Sequence, residues 1–196
     1  MIIWSDETWV KAGSHRKTLV TRKPGEELNP TCVIDRIQRQ SGWMFWGSFH
    51  GTTKGPCCFW EKDWGTITKE SYINRIVPLI DGWFRMNPDQ DLQFMQDNAP
   101  AHAAKVTIQE LQERQIPVIF WPAFSPDLNP IETVWNKMKD WIVWNYPSHK
   151  ASYDELRRQV REAWDAIGTE TLQELVQTMH QRCLDVIAAE GGHTKW

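Results

Sequence analysis

Three acidic residues of this chain, Asp6, Asp97 and Glu132, stand where a folded domain can bring them together. Converging carboxylates repel one another unless a cation sits among them. Hard oxygen ligands of this kind select Mg²⁺ or Mn²⁺, ions that keep several waters and complete their shell with a few carboxylates and substrate phosphates. Two such ions suit phosphoryl transfer, because together they stabilise the attacking and leaving oxygens of an in-line displacement. Taken singly, each acid has a plainer role. Asp6 can end a strand in a turn, Asp97 can be the turn residue of Asp97-Asn98-Ala99-Pro100, and Glu132 lies three residues after Asn129, the spacing of a capping box. The chemical reading rests on the combination.

The elements that must position these acids follow from hydrophobic periodicity. Ile2-Ile3-Trp4 reads as a short buried strand ending at Ser5-Asp6-Glu7, followed by an excursion over 11–42 rich in charge, Gly and Pro, with a short strand around 32–37. Trp43 to Phe49 and Pro56 to Trp60 form a hairpin around a glycine-containing loop. Tyr72, Ile73, Ile76, Val77, Ile80, Trp83 and Phe84 mark an amphipathic helix over 69–86, kinked by Pro78. Leu92 to Gln96 is a fourth strand that delivers Asp97. His102 to Arg114 is a helix with Val106, Ile108 and Leu111 inward, and Ile116 to Trp121 is a fifth strand. Asn129 suits an N-cap and Pro130 the first helical position, which places Glu132 in the first turn of a helix carrying Val134, Trp135, Met138 and Trp141.

Two more helices close the chain. Ser152 and Glu155 have capping-box spacing ahead of Leu156, Val160, Ala163, Trp164 and Ile167, with Gly168 as a stop. The second carries Leu172, Leu175, Val176, Met179, Cys183, Leu184 and Ile187. The order predicts one α/β domain over 1–196: a mixed five-stranded sheet flanked by helices (1–145) and a C-terminal helical tail (146–196). In such sheets, strand ends are where sites are built.

Composition narrows the partners. With 22 basic against 25 acidic residues the net charge is −3, which argues against binding nucleic acid over the whole surface. DNA contact must then be local, and Lys11, Arg16, Lys17, Arg22 and Lys23, with His15 and no acid among them, are the candidates. Cys32, Cys57, Cys58 and Cys183 lack zinc or disulfide spacing, which points to a reducing, intracellular setting. No run approaches the roughly 18 apolar residues of a membrane span. Neither a membrane nor a small-molecule substrate is expected.

Several words of the sequence resemble the catalytic domain of mariner-superfamily transposases, in the branch whose third acid is glutamate. They are SDE at 5–7, TRKPGEE at 21–27, WG at 46–47, QDNAPAH at 96–102, WPAFSPDLNPIETVW at 121–135 and GGHTKW at 191–196, with 34 residues between Asp97 and Glu132. The resemblance implies a ribonuclease H-like fold and two Mg²⁺ or Mn²⁺ ions held by Asp6, Asp97 and Glu132. It further implies cleavage and strand transfer at transposon ends into target DNA, on which the protein dimerises, and a nuclear location. Glu7 should face away from Asp6 and support it from behind. Asn98 and His102 can orient a ligand, although a turn amide and a helix-start histidine are the plainer readings. Members of that family carry helix-turn-helix modules before the catalytic domain, and no such region is expected within 1–196. Competing readings are a remnant acting as an interaction module, another nuclease on the same fold, or a glycosidase using two acids.

Overall fold

The computed structural model describes residues 1–12, 42–147 and 151–196. Alternation begins at the N-terminus. Trp4, Thr8 and Val10 are buried on one face of strand β1 (Ile2–Lys11), Ile3 and Ser5 on the other, and Trp9 is exposed. That pattern carries the strand to Lys11 rather than ending it at Asp6, because β2 (Gly42–His50) offers an antiparallel partner along the whole length, from Trp4↔Phe49 to Lys11↔Gly42. On its other side β1 pairs in parallel with β4 (Gln93–Met95), and only as far as Trp4↔Met95. Asp6 therefore projects from a stretch of β1 that β4 no longer covers.

The expected hairpin is present as β2 and β3 (Thr53–Trp60), tightened to a turn with Gly51 at φ +53°, and the sheet order is β3-β2-β1-β4. Among the described residues the sheet has four strands, not five. At the fifth position Val118 makes one parallel bridge to Phe94, through Phe94 N–H to Pro117 O (2.7 Å) and Ile119 N–H to Phe94 O (3.0 Å). Pro117 has no N–H to give, so the ladder cannot extend back towards Leu92.

Helices cover both faces. On one lie α1 (Lys69–Arg75) and α2 (Val77–Met86), separated at Ile76 just before Pro78, and α3 (Lys105–Glu113). They enclose Ile3, Trp46, Trp60, Tyr72, Ile80, Phe94 and Leu111. In α3 Leu111 is buried as expected, together with Thr107, whose hydroxyl donates to Ala101 O (2.7 Å). Val106, expected inside, is 47% exposed.

The opposite face meets α4 (Ile131–Asn145) and α5 (Tyr153–Ala166) over Trp4, Phe45, Met95, Trp135, Val160 and Trp164. Aromatic rings fill this layer edge to face, as at Trp4–Trp121 (5.8 Å between centroids) and Phe45–Trp135 (6.0 Å). Such bulk needs a gap, which Gly47 provides: a Cβ there would lie 2.9 Å from Trp135 Cη2. The Ser152–Glu155 capping box forms as expected. The tail differs from expectation. It is two short helices after α5, α6 (Thr169–Gln177) and α7 (Met179–Ala188), and Gly168, at φ −78°, begins α6 instead of stopping α5 in a left-handed turn. Leu172 and Leu175 are buried, whereas Cys183, Leu184 and Ile187 are exposed. The buried residue of α7 is Arg182.

Candidate active site

The pleat decides which acids can meet. Asp6 shares its face of β1 with Trp4 and Val10, the face covered by α4. Asp97 follows Met95, which faces the same layer, by two residues. Glu132 stands in the first turn of α4. All three line one open cavity of about 460 Å³, together with Asn98, Trp121, Phe124 and Asn129.

Short hydrogen bonds fix the backbones that carry them. Ser5 Oγ donates to Met95 O (2.8 Å), tying β1 to β4 beside the acids. Asn129 Nδ2 donates to Ser5 O (3.3 Å), while its Oδ1 accepts from Ile131 N–H (3.4 Å). Asn129 is extended (φ −94°, ψ 107°), so it caps α4 in the expected sense and also anchors the helix start to β1. Asn98 Nδ2 donates to Trp121 O (2.7 Å), which holds the 118–122 segment against the cavity.

Behind Asp97 lies a buried polar chain. Asp97 Oδ1 accepts from Ala99 N–H (2.9 Å) and from His102 Nδ1 (2.5 Å), and His102 Nε2 lies 3.4 Å from Glu7 Oε1. Glu7 reaches His102 from the opposite face of β1 to Asp6. Tyr72 packs on the imidazole at 4.2 Å and donates to Gln96 Oε1 (2.9 Å), whose amide donates to His102 O (3.2 Å). Burial pulls the His102 imidazolium down, but the bond to Asp97 and the neighbouring Glu7 outweigh it and raise its pKa to about 9. His102 is thus a cation at neutral pH and donates to Asp97, whose own pKa is lowered chiefly by that bond.

Asp6 is perturbed the other way. Burial, then the charges of Glu7 and Glu132, raise its carboxyl to about 8, only partly offset by the Glu7 N–H, and the protonated group shares a hydrogen bond with Glu132. Lys139, two turns along α4, is lowered by burial and drawn back by Glu132 and Asp6. The donor set suits a hard divalent cation, whose charge would relieve the repulsion that keeps Asp6 protonated. Among the described residues no three acid, histidine or cysteine side chains already form a closed metal cage. Both of these hydrogen bonds of Asp97 fall on Oδ1, which leaves Oδ2 as the oxygen to offer a ligand.

A family described as DDE superfamily endonuclease matches residues 1–157. The chain belongs to that family, in its Tc/mariner transposase branch. The Tc1 transposase of Caenorhabditis elegans is 30% identical over 196 residues, covering 99% of this chain and 70% of that protein. The Tcb1 transposase of Caenorhabditis briggsae is 29% identical over the same shares. Among solved structures, the Mos1 transposase paired-end complex with left transposon end superposes at TM-score 0.77 with 20% identity, over 98% of this chain and 56% of that one. The Mos1 catalytic domain with Raltegravir and Mg superposes at 0.72 with 16% identity, over 99% of this chain and 85% of that one. The transposase domain therefore has the ribonuclease H-like fold and is a polynucleotidyl-transferase type of enzyme, while it spans little more than half the length of the Mos1 chain in the DNA complex.

Of the site residues read from sequence, Asp6, Asp97, Glu132 and Asn98 line the cavity, and Glu7 and His102 lie directly behind it. Lys11 is exposed at the far end of β1, away from the cavity lining. Arg16, Lys17, Arg22 and Lys23, and the short strand expected near 32–37, lie outside the described residues. Sequence reasoning missed the second role of Asn129 and the whole of Arg182. Arg182, 1% exposed, donates to Asp127 O (2.7 Å), Thr133 Oγ1 (3.1 Å) and Thr178 Oγ1 (2.9 Å), with Trp196 over its guanidinium (4.6 Å). Nothing in the helical pattern distinguishes it from a surface arginine.

Proposed function

We propose that Asp6, Asp97 and Glu132 hold two divalent cations, Mg²⁺ or Mn²⁺, and that the domain cleaves DNA at transposon ends and joins the freed ends to target DNA. The observation that carries this reading is the meeting of three acids from separate segments in one open cavity, where burial and then the charges of Glu7 and Glu132 raise the Asp6 carboxyl. When bound, the ions would stabilise the oxygens that attack and leave the phosphodiester. His102 donates to Asp97 and fixes which oxygen it turns to the cavity, in the manner of groups that orient metal ligands from behind. Asn129 keeps Glu132 registered against β1. The Mos1 complexes with a transposon end, and the Mos1 catalytic domain with Mg or Mn, support DNA and these metals as partners here, with a homodimer forming on the DNA. Transposition as a chromosomal reaction would place the protein in the nucleus.

The test is nicking of supercoiled plasmid by the 196-residue chain. Relaxed product should require Mg²⁺ or Mn²⁺, vanish with chelator, and fall to background in Asp97→Asn and Glu132→Gln. Nicking that survives either substitution would sink the assignment. Folded chain with no nicking under any divalent ion would instead favour an interaction module that has lost catalysis.

A further inference from the structure

One side chain on the cavity rim has no role in the site just described. Phe124 is fully exposed, at 101%, in the turn between Trp121 and Ser125. Its backbone is left-handed, with φ +54°, a conformation that costs a residue with a Cβ about 1–2 kcal/mol and that Asn or Gly adopts more readily. A large apolar ring is thus held out in water on a strained backbone, with no buried contact in return. Strain that packing does not explain points to function.

The surroundings say what the ring could meet. Phe124 lines the same cavity as Asp6, Asp97 and Glu132, and it also lines a second opening of about 920 Å³ on the α7 side, so it forms the ridge between the two. Phe120, 91% exposed, stands on the other side of Trp121, beside Asp97 and Asn98. The 121–126 segment also presents Pro122, Ala123, Ser125 and Pro126 to the cavity and has no cation of its own, so it offers no grip on a phosphate backbone. It offers flat faces. A nucleobase is the ligand for such a surface, since every base has a π-face and stacks on an aromatic ring without regard to sequence.

We propose that Phe124 is a stacking platform for a nucleobase unpaired beside the scissile phosphate, resting on the reading of the cavity as a DNA-cleaving site. Insertion of an apolar side chain beside a base step props the duplex open, and an extruded base finds a ring to cover it. The aromatic rim separates this function from the chemistry of the acids, and Phe124 acts on the geometry of the DNA entering the cavity.

The experiment uses the 196-residue chain with Ca²⁺ in place of a catalytic ion and a fluorescein-labelled duplex carrying one unpaired 2-aminopurine. Anisotropy reports binding of the DNA, and 2-aminopurine quenching reports stacking. Wild-type protein should quench the base and bind this duplex more tightly than its fully paired counterpart. Phe124→Ala should remove the quenching and weaken binding of the unpaired duplex roughly tenfold, leaving the paired duplex unchanged, while Phe124→Trp preserves both signals. Phe124→Gly is the control for structure: relief of the left-handed strain should hold or raise its melting temperature while stacking is lost. Equal quenching in wild type, Phe124→Ala and Phe124→Gly overturns the proposal, and so does wild-type binding without quenching. Quenching that depends on Phe124 in a protein that never nicks DNA would support the platform and remove the catalytic reading, so the two fail separately.

Discussion

Replacing Asp6 by asparagine should make the metal-free protein more stable at neutral pH while it abolishes catalysis. The folded carboxyl titrates near 8, raised from 3.8 by burial and by Glu7 and Glu132. Between those values the folded state holds a proton that the unfolded state has released, so stability falls as pH rises. His102, raised to about 9 from 6.5, gives stability that is complete below 6.5 and lost as pH climbs through 9, and Asp97, lowered, matters only towards acid below its ordinary range. His50, lowered chiefly by burial, adds stability as pH rises towards 6.5, but equally in both proteins, so the difference between wild type and variant from pH 5 to 6.5 isolates Asp6. One proton over that span corresponds to about 1.4 kcal/mol per pH unit, or ~2 kcal/mol in all, and solvent reaching the partly buried carboxyl reduces it to about 1 kcal/mol. Asparagine keeps the acceptor for Glu7 N–H and offers an amide to Glu132 without a charge to desolvate. Urea unfolding followed by tryptophan fluorescence, in chelator at pH 5 and 6.5, should show wild type losing about 1–2 kcal/mol relative to Asp6→Asn. Added Mg²⁺ should restore wild type at pH 7 through its preference for the folded state, and leave the variant unmoved. Parallel lines for the two proteins from pH 5 to 6.5 would refute the account of Asp6.

Other outcomes follow from the same geometry. Gly47→Ala should cost roughly 1–3 kcal/mol in urea unfolding, because the new methyl meets the rings of Trp135 and Trp164, neither of which can turn aside in a packed aromatic layer. Arg182→Ala should cost roughly 2–4 kcal/mol by leaving Asp127 O without its buried donor, and its nicking rate should drop even at temperatures where it is folded, since the loop before Glu132 loses its tether. His102→Gln should reduce the stability loss between pH 8 and 9 seen by thermal melting, above the range in which Asp6 titrates, because His102 carries the raised pKa that acts there.

The sequence foretold this fold best where one residue pattern had one physical answer. The β2–β3 hairpin, the break before Pro78 and the Ser152–Glu155 box are local, and local chemistry decides them. It failed where a partner distant in sequence decided. β1 continues past Asp6 because β2 pairs with it after an excursion of some thirty residues, and hydrophobicity alone could not reveal that partner. Thr107 displaced Val106 from the interior because Ala101 supplied an acceptor for its hydroxyl. The fifth strand shrank to one bridge, and Pro117, which lacks an amide hydrogen, closes its ladder on the Leu92 side. The cavity itself was legible as three acids at strand and helix ends, whereas Arg182 and the doubled role of Asn129 depend on contacts across the chain.

The site's economy lies in separating what is rigid from what turns. Ser5 to Met95, Asn129 to Ser5 and Asn98 to Trp121 lock three segments together at the backbone, over a layer of interlocked aromatic rings. The carboxylates stand on this frame with unequal restraint. Asp97 is held by His102 and Ala99, and Asp6 accepts from Glu7 N–H while burial beside Glu7 and Glu132 favours its protonated form. On the proposed reading, Asp6 would give up its proton to become a ligand of a divalent cation, with no strand disturbed. The frame can then bear a site whose acids oppose its stability, because the repulsion is confined to side chains whose backbones have no freedom to respond.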